Sequence, residues 1–320
     1  MSDDELDEVP FSKRPDWADV VPIEQDDGPN PICPIAYKDD FKEKLNYFRA
    51  IIKSNEKSSR ALELTDSIIQ DCPSNYTVWY YRREILKVID FDLQEEFDYV
   101  GAMGESDPKN YQIWNHRRWL VETYNDNSRE LEFIAERLQE DGKNYHAWGQ
   151  RQWVLTHFKL SLTDELAFVD KMLKTDHRNN SAWNQRYFVI AQQYLSSTPS
   201  ATSLPQDVIK KEVDYAVSFI KYSPNNESPW SYLRGLYNGT SLNDEDLIKL
   251  LVEMKGKYIG CAHVLSLLID IYVEQNKPES LTEAVKICTS LMNNIDQIHR
   301  NYWQYRLSSL ESKLNSLKQQ

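Results

Sequence analysis

Two short polar stretches, 34 residues apart, carry the side chains that could take part in chemistry. The first reads Lys-Asn-Tyr-Gln over residues 109–112, and the second reads Lys-Asn-Tyr-His over residues 143–146. We expect each stretch to lie at the start of a helix, where unpaired backbone N–H groups and the helix dipole favour an anion. Lys109 and Lys143 would add positive charge there. The pattern predicts a phosphate-binding rim, although ordinary solvent-exposed loop residues would also explain it.

Motifs for catalysis by this chain alone are missing from the sequence. It contains no HExxH, no clustered Cys/His ligand set, no glycine-rich phosphate loop and no nucleophile elbow. The four cysteines are far apart, which suits free thiols in a reducing compartment. If the protein takes part in catalysis, we expect another component to supply the reactive groups, and we expect a cytoplasmic location.

Charge and composition narrow the range of partners. The net charge of −13 argues against nucleic acid, whose phosphates require a basic surface. Much of that charge lies in residues 1–27, which hold ten acidic and two basic side chains. No apolar run approaches the length of about 20 residues that a membrane span requires. We predict an acidic, proline-rich, flexible tail over residues 1–36 and a helical-hairpin repeat domain over residues 37–320.

A tryptophan recurs along the chain with flanking residues that recur with it. The first three intervals are 35, 34 and 35 residues, for Trp79, Trp114, Trp148 and Trp183, followed by Trp230 and, more distantly, Trp303. An asparagine stands four residues before the tryptophan in five units: Asn75, Asn110, Asn144, Asn179 and Asn226. An arginine stands three residues after it in five units: Arg82, Arg117, Arg151, Arg186 and Arg306. Repetition at such a period indicates stacked structural units.

The recurring residues have structural roles that follow from their types. The asparagine is a good N-cap, because its side-chain oxygen can accept from free N–H groups in the first helical turn. Tryptophan and arginine three residues apart share a helix face. We expect the tryptophan to fill the seam between neighbouring hairpins and the arginine to reach across it to acidic groups or carbonyls.

The whole pattern predicts an all-α fold. We expect about fifteen helices in roughly seven hairpins, each hairpin made of a tryptophan helix followed by a second amphipathic helix, and stacked as an α–α superhelix. A Ser/Thr/Pro-rich insertion between Gln193 and Val208 is expected to form a surface loop.

The repeat units resemble a known family. The stretches NYTVWYYRR, PKNYQIWNHRRWLVE, KNYHAWGQRQWVL and NNSAWNQRYFVI are similar to the alpha subunit shared by protein farnesyltransferase and protein geranylgeranyltransferase type I. The likeness runs from about Tyr37 to the C terminus and is strongest from Asn75 to Ile190. It implies a crescent-shaped right-handed solenoid wrapped around a beta subunit, which is an α–α barrel that holds the catalytic zinc and most of the isoprenoid and peptide pocket.

The resemblance also implies roles for individual residues. Lys109 corresponds to the lysine that contacts the isoprenoid diphosphate, where it would serve catalysis. Gln112 corresponds to the glutamine that bonds the terminal carboxylate of the CaaX substrate, and Tyr111 would lie between them. The residues implied to border the same cleft are Asn144, Tyr145 and His146.

The implied reaction joins the CaaX cysteine to C1 of farnesyl or geranylgeranyl diphosphate. The implied partners are an obligate beta subunit, the isoprenoid diphosphate and CaaX proteins such as small GTPases. Zinc would belong to the beta subunit, and magnesium is an option with the diphosphate. The choice between farnesyl and geranylgeranyl would be made in the beta subunit, so this chain does not reveal it.

Two other interpretations remain open at this point. A TPR-like scaffold without a catalytic role fits the 34-residue period, but the small Ala and Gly positions of TPR units are missing. The alpha subunit of Rab geranylgeranyltransferase shares the Trp-x-x-Arg hairpins. That subunit would be expected to carry further domains and different repeat openings.

Overall fold

The computed structural model describes residues 9–196 and 202–319. Over these ranges the chain forms fifteen α-helices and no β-strand, which confirms the predicted all-α fold. The helices are α1 (Asp39–Ser54), α2 (Ser59–Asp71), α3 (Tyr76–Leu86), α4 (Leu93–Ser106), α5 (Tyr111–Tyr124), α6 (Glu130–Glu140), α7 (Tyr145–His157), α8 (Leu162–Thr175), α9 (Asn180–Tyr194), α10 (Gln206–Tyr222), α11 (Glu227–Leu236), α12 (Glu245–Lys257), α13 (Ala262–Gln275), α14 (Pro278–Ser290) and α15 (Arg300–Lys318).

The helices pack in seven successive pairs, α2 with α3 through α14 with α15, and α1 packs on α2. The number of hairpins agrees with the sequence prediction, but their composition does not. Each tryptophan helix packs closely on the helix that precedes it, so the predicted grouping with the following helix was wrong. Sequence periodicity marks which residues of a helix are buried, and it does not say which neighbour buries them.

By its internal contacts the chain divides into two compact units, residues 1–158 and 159–320. The first unit contains α1–α7, and the second contains α8–α15. The insertion predicted between Gln193 and Val208 overlaps the last turn of α9 and the first turn of α10, so it was drawn too wide at both ends, and residues 197–201 of it fall outside the described ranges. The domain limits 1–36 and 37–320 stay a prediction.

Part of the predicted tail packs on the first unit. Phe11 and Trp17 are buried, and their rings lie 5.9 and 5.5 Å from the ring of Tyr47 on α1. Arg60 on α2 forms an ion pair with Asp19 at 2.7 Å. These contacts give residues 11–19 a defined position, whereas residues 24–36 are almost entirely exposed. Residues 1–8 lie outside the described part of the chain.

Candidate functional site

The recurring asparagines begin five helices as predicted. Each side-chain oxygen accepts a hydrogen bond from a backbone N–H two or three residues later, which satisfies donors that the first helical turn leaves free. The capping residues are Asn75, Asn110, Asn144, Asn179 and Asn226. The last predicted unit differs, because His299 precedes α15 without a side-chain capping bond.

In these five repeats the tryptophan also fixes the loop in front of its own helix. Its indole N–H donates to the backbone carbonyl six residues earlier, at 2.8 to 3.0 Å. The donor and acceptor pairs are Trp79 with Pro73, Trp114 with Pro108, Trp148 with Gly142, Trp183 with His177, and Trp230 with Pro224. Sequence reasoning missed this bond. The loop and the capping asparagine are held as one rigid turn.

The capping side chains connect consecutive repeats. In the first unit the Asn144 amide donates to the Pro108 carbonyl at 2.9 Å. In the second unit the Asn226 amide donates to the His177 carbonyl at 2.8 Å. Because Trp114 donates to the same Pro108 carbonyl, the turn that carries Lys109 is held from its own repeat and from the next one.

A sixth repeat opening lies at α13, where the sequence showed none. Cys261 occupies the capping position, and its thiol donates to the Pro224 carbonyl at 3.2 Å. Leu265 stands where tryptophan stands in the earlier repeats, four residues later. Neither of the two marker residue types is present, so the remaining signal was the spacing of 35 residues from Asn226.

Buried glutamates connect repeats behind these turns in the first unit. Glu96 pairs with Arg82 at 2.5 Å and with His116 at 2.7 Å. Glu130 pairs with Arg117 at 2.7 Å and accepts from Gln150 at 3.2 Å. The arginines therefore reach acidic groups across the seam, as predicted.

The second unit repeats this arrangement with other partners. Glu212 pairs with Arg186 at 2.7 Å and accepts from the Tyr232 hydroxyl at 2.7 Å. Glu165 accepts from Gln185 at 2.9 Å. Arg151, in the first unit, donates to the Leu131 carbonyl at 3.2 Å, the other type of acceptor that the sequence led us to expect.

The predicted site residues gather at the helix starts of the first unit. Lys109 precedes the cap of α5, is 74% exposed, and places its ammonium 3.3 Å from the carboxylate of Asp141. Tyr111 and Tyr145 are the first residues of α5 and α7, and they are 69% and 76% exposed. Two exposed tyrosines beside a lysine form an edge that packing within the chain does not require.

His146 connects the two helix starts. Its ring centroid lies 4.3 Å from that of Tyr111 in an edge-to-face contact, and it is stacked 6.2 Å from Trp114. Burial lowers the pKa of His146, while a hydrogen bond with the backbone carbonyl of Lys109 opposes that shift. The ring contacts with Tyr111 and Trp114 place His146 between the starts of α5 and α7.

Gln112 and Asn144 differ in what they can contact. Gln112 is the second residue of α5 and is half-buried, and its backbone N–H donates to the Asn110 cap. Among the described residues its side-chain amide has no hydrogen-bond partner. Asn144 is buried, and its side chain bonds to α7 and to Pro108. Asn144 thus holds the edge together from inside.

Tyr76 belongs to the same edge and was missed from the sequence. It is the first residue of α3 and is 71% exposed, as its counterparts on α5 and α7 are. Helices α3, α5 and α7 pack on one another in order, so their first residues line one edge. The repeated Asn-Tyr pair at residues 75–76 was the available signal.

Residues 9–196 and 202–319 contain no group of three or more His, Cys, Asp or Glu side chains arranged to hold a metal ion. No helix in these ranges is both long enough and apolar enough to cross a membrane.

The family model for the protein prenyltransferase alpha subunit repeat matches residues 58–89, 93–124, 127–158, 162–193 and 209–239. Each matched stretch holds one pair of helices and ends with a tryptophan helix, in agreement with the observed pairing. The fold and the repeat openings thus define a protein of the prenyltransferase alpha-subunit class.

Individual relatives narrow the class further. The chain is 52% identical to the protein farnesyltransferase/geranylgeranyltransferase type-1 subunit alpha of Dictyostelium discoideum, over 98% of this chain and 99% of the relative. The subunit of the same name from Solanum lycopersicum is 42% identical, over 96% and 92%. The solved structure of Candida albicans protein geranylgeranyltransferase-I complexed with GGPP matches with a TM-score of 0.80 and 31% identity, over 93% of this chain and 99% of that one. The chain belongs to the family of protein farnesyltransferase/geranylgeranyltransferase type-1 alpha subunits, as its resemblance predicted.

Proposed function

We propose that this chain works as the alpha subunit of a heterodimeric enzyme that transfers an isoprenoid from its diphosphate to the cysteine thiol of a C-terminal CaaX motif. The observation that carries the proposal is the edge formed by Lys109, Tyr111 and His146, in a chain of this family. The names of the relatives favour this function over a scaffold without a catalytic role and over the Rab enzyme's subunit.

Lys109 is the residue we assign to the diphosphate. Its exposed ammonium stands beside the first turn of α5, where the helix dipole also favours negative charge. As the bond from C1 to the diphosphate breaks, charge grows on the leaving oxygens, and a fixed cation stabilises that charge without transferring a proton. Losing one such group raises the barrier by about 2.7–4 kcal/mol.

The remaining edge residues suit the peptide substrate and the partner subunit. The side-chain amide of Gln112 is available to donate to the terminal carboxylate of a CaaX peptide. Tyr111 and Tyr145 offer exposed aromatic faces, the type of residue that is enriched where proteins bind each other. His146, which is part-buried, packs between both helix starts and keeps them in register for such contacts.

The metal and the remainder of the pocket are assigned to the partner. This chain's proposed contribution is to hold the diphosphate and the peptide terminus. Zinc on the beta subunit would lower the pKa of the substrate thiol. Magnesium would accompany the diphosphate. CaaX proteins such as small GTPases are the proposed substrates, and the free cysteines suit a cytoplasmic enzyme.

The test is co-expression with a beta subunit of the type-1 enzyme. We expect a stable heterodimer that transfers geranylgeranyl to a CaaX peptide, while this chain alone gives no turnover. A peptide with serine in place of the CaaX cysteine is the control for the acceptor atom. Failure to form a heterodimer, or a heterodimer without transfer, would contradict the proposal.

A further inference from the structure

Asp141 contacts Lys109 from the neighbouring repeat. One carboxylate oxygen of Asp141 accepts the backbone N–H of Lys143 at 3.0 Å. The other oxygen lies 3.3 Å from the ammonium nitrogen of Lys109. The carboxylate therefore shapes its own turn and also reaches the turn before α5.

The two partners differ in rigidity. The backbone N–H of Asp141 donates to the Arg137 carbonyl at 3.0 Å, and its own carbonyl accepts from Asn144 at 3.0 Å. These bonds hold Asp141 on both sides, whereas Lys109 is a long, mostly exposed side chain with many rotamers. The ion pair consequently orients the mobile lysine on a fixed carboxylate.

The turn alone does not explain the contact with Lys109. Asp176 occupies the equivalent position in the next repeat, and its carboxylate accepts the backbone N–H of Arg178 at 2.9 Å. Its backbone bonds to Met172 and Asn179 match those around Asp141. The turn thus uses an acceptor in both repeats, and among the described residues Asp141 pairs with a lysine whereas Asp176 does not.

We propose that Asp141 is a positioning residue for Lys109. It holds the ammonium at the edge in the free enzyme and releases it to the diphosphate when the isoprenoid diphosphate binds. Exposed ion pairs are weak, so a diphosphate with more charge displaces the carboxylate readily. The inference rests on the proposed function, in which Lys109 contacts the diphosphate.

The experiment uses the heterodimer with geranylgeranyl diphosphate and a CaaX peptide. Asp141→Asn keeps an oxygen for the Lys143 N–H and removes the charge that holds Lys109. We expect the single-turnover rate to fall about two- to fivefold, the range of a weak ion pair. Binding of geranylgeranyl diphosphate should stay equal or become tighter, because a negative charge has been removed. The matched control Asp176→Asn should leave both quantities unchanged.

A double variant separates positioning from a general effect on the fold. If Asp141 acts through Lys109, Asp141→Asn should have no further effect on the rate in the Lys109→Ala background. The same fold-change in both backgrounds, no change in the wild-type background, or weaker binding of geranylgeranyl diphosphate would overturn the inference. If Lys109→Ala alone leaves the rate unchanged, the proposed role of Lys109 fails, and the inference fails with it.

Discussion

The two compact units share one scaffold at their repeat openings and differ in the residues that the scaffold presents. Both units use a capping asparagine, an indole bonded to the preceding turn and an amide bonded to the previous repeat. The first helical residues of the first unit are Tyr76, Tyr111 and Tyr145, whereas those of the second unit are Asn180, Glu227 and Ala262. Five openings across the two units thus share the capping asparagine and the tryptophan, and the positions beside the cap vary, so those positions are free to carry function.

The second partner of the buried glutamates varies from repeat to repeat. In the first unit Glu96 bonds to the imidazole of His116 and Glu130 to the neutral amide of Gln150, and in the second unit Glu165 bonds to the neutral amide of Gln185. Also in the second unit, Glu212 accepts a hydrogen bond from the Tyr232 hydroxyl. The same bridge between repeats is thus built with an imidazole, an amide or a hydroxyl as the second partner of the glutamate.

The largest expected effect on stability comes from breaking a buried bridge in the second unit. Arg186→Met would leave Glu212 buried with the Tyr232 hydroxyl and without a cation. Removal of one partner of a buried pair lowers the free energy of unfolding by about 3–5 kcal/mol. Denaturant unfolding would measure this loss. Lys286→Met, which removes an exposed pair with Glu283, is the control and should leave stability nearly unchanged. Equal losses in the two variants would contradict the role of the bridge.

The next prediction concerns how stability depends on pH through a buried histidine in the first unit. Burial lowers the pKa of His116 to about 4, although a hydrogen bond with Glu96 opposes the shift. As the pH falls, the unfolded chain therefore binds a proton at His116 at a higher pH than the folded chain does. The free energy of unfolding consequently decreases as the pH drops below about 6.5. Hydrogen bonds from His116 and Arg82 outweigh burial and lower the pKa of Glu96 to about 2, so its own contribution is lost only below about pH 4.5.

His116→Gln introduces the residue type found at the same place in the next two repeats, Gln150 and Gln185. Between pH 6.5 and 4.5 the wild-type protein should lose up to about 1.4 kcal/mol per pH unit more than this variant. Unfolding free energies measured across that range would show the difference. Parallel curves for the two proteins would mean that His116 does not titrate on unfolding in this window.

The smallest expected effect on stability distinguishes a residue that supports only the fold from one that also supports the proposed active site. Asn144→Ala and Asn226→Ala each remove a cap and one bond between repeats, and each should lower stability by about 1–3 kcal/mol. Only Asn144 supports the turn that carries Lys109, so only Asn144→Ala should also reduce prenyl transfer, by about 10- to 100-fold. Prenyl-transfer assays on folded heterodimers would distinguish the two variants. A similar loss of activity in both variants would show that the two units do not differ in this way.

Sequence reasoning succeeded where the signal is local. Asn75, Asn110 and the other caps could be predicted because the asparagine, its helix start and the tryptophan lie within one turn of chain. The bridges from Arg82, Arg117 and Arg186 followed from a shared helix face, but their glutamates lie 13 to 26 residues away and could not be named.

The remaining features depend on tertiary contacts. The repeat at Cys261 carries neither marker residue, so only its position in the fold reveals it. Phe11 and Trp17 pack although the composition around them is that of a flexible tail, because two large aromatic side chains bury enough apolar surface to anchor a short segment. The link between Asp141 and Lys109 joins two repeats and has no signature within either one.

The central claim, that the edge of the first unit carries this subunit's share of the active site, is tested most directly by one paired measurement. Lys109 and Arg178 both precede a capping asparagine, one in each unit. The single-turnover rate of transfer to a CaaX peptide would be measured for heterodimers with Lys109→Ala and with Arg178→Ala. We expect the first to be slower by about 10²–10³-fold and the second to match the wild type. Equal rates in the two variants would contradict the claim.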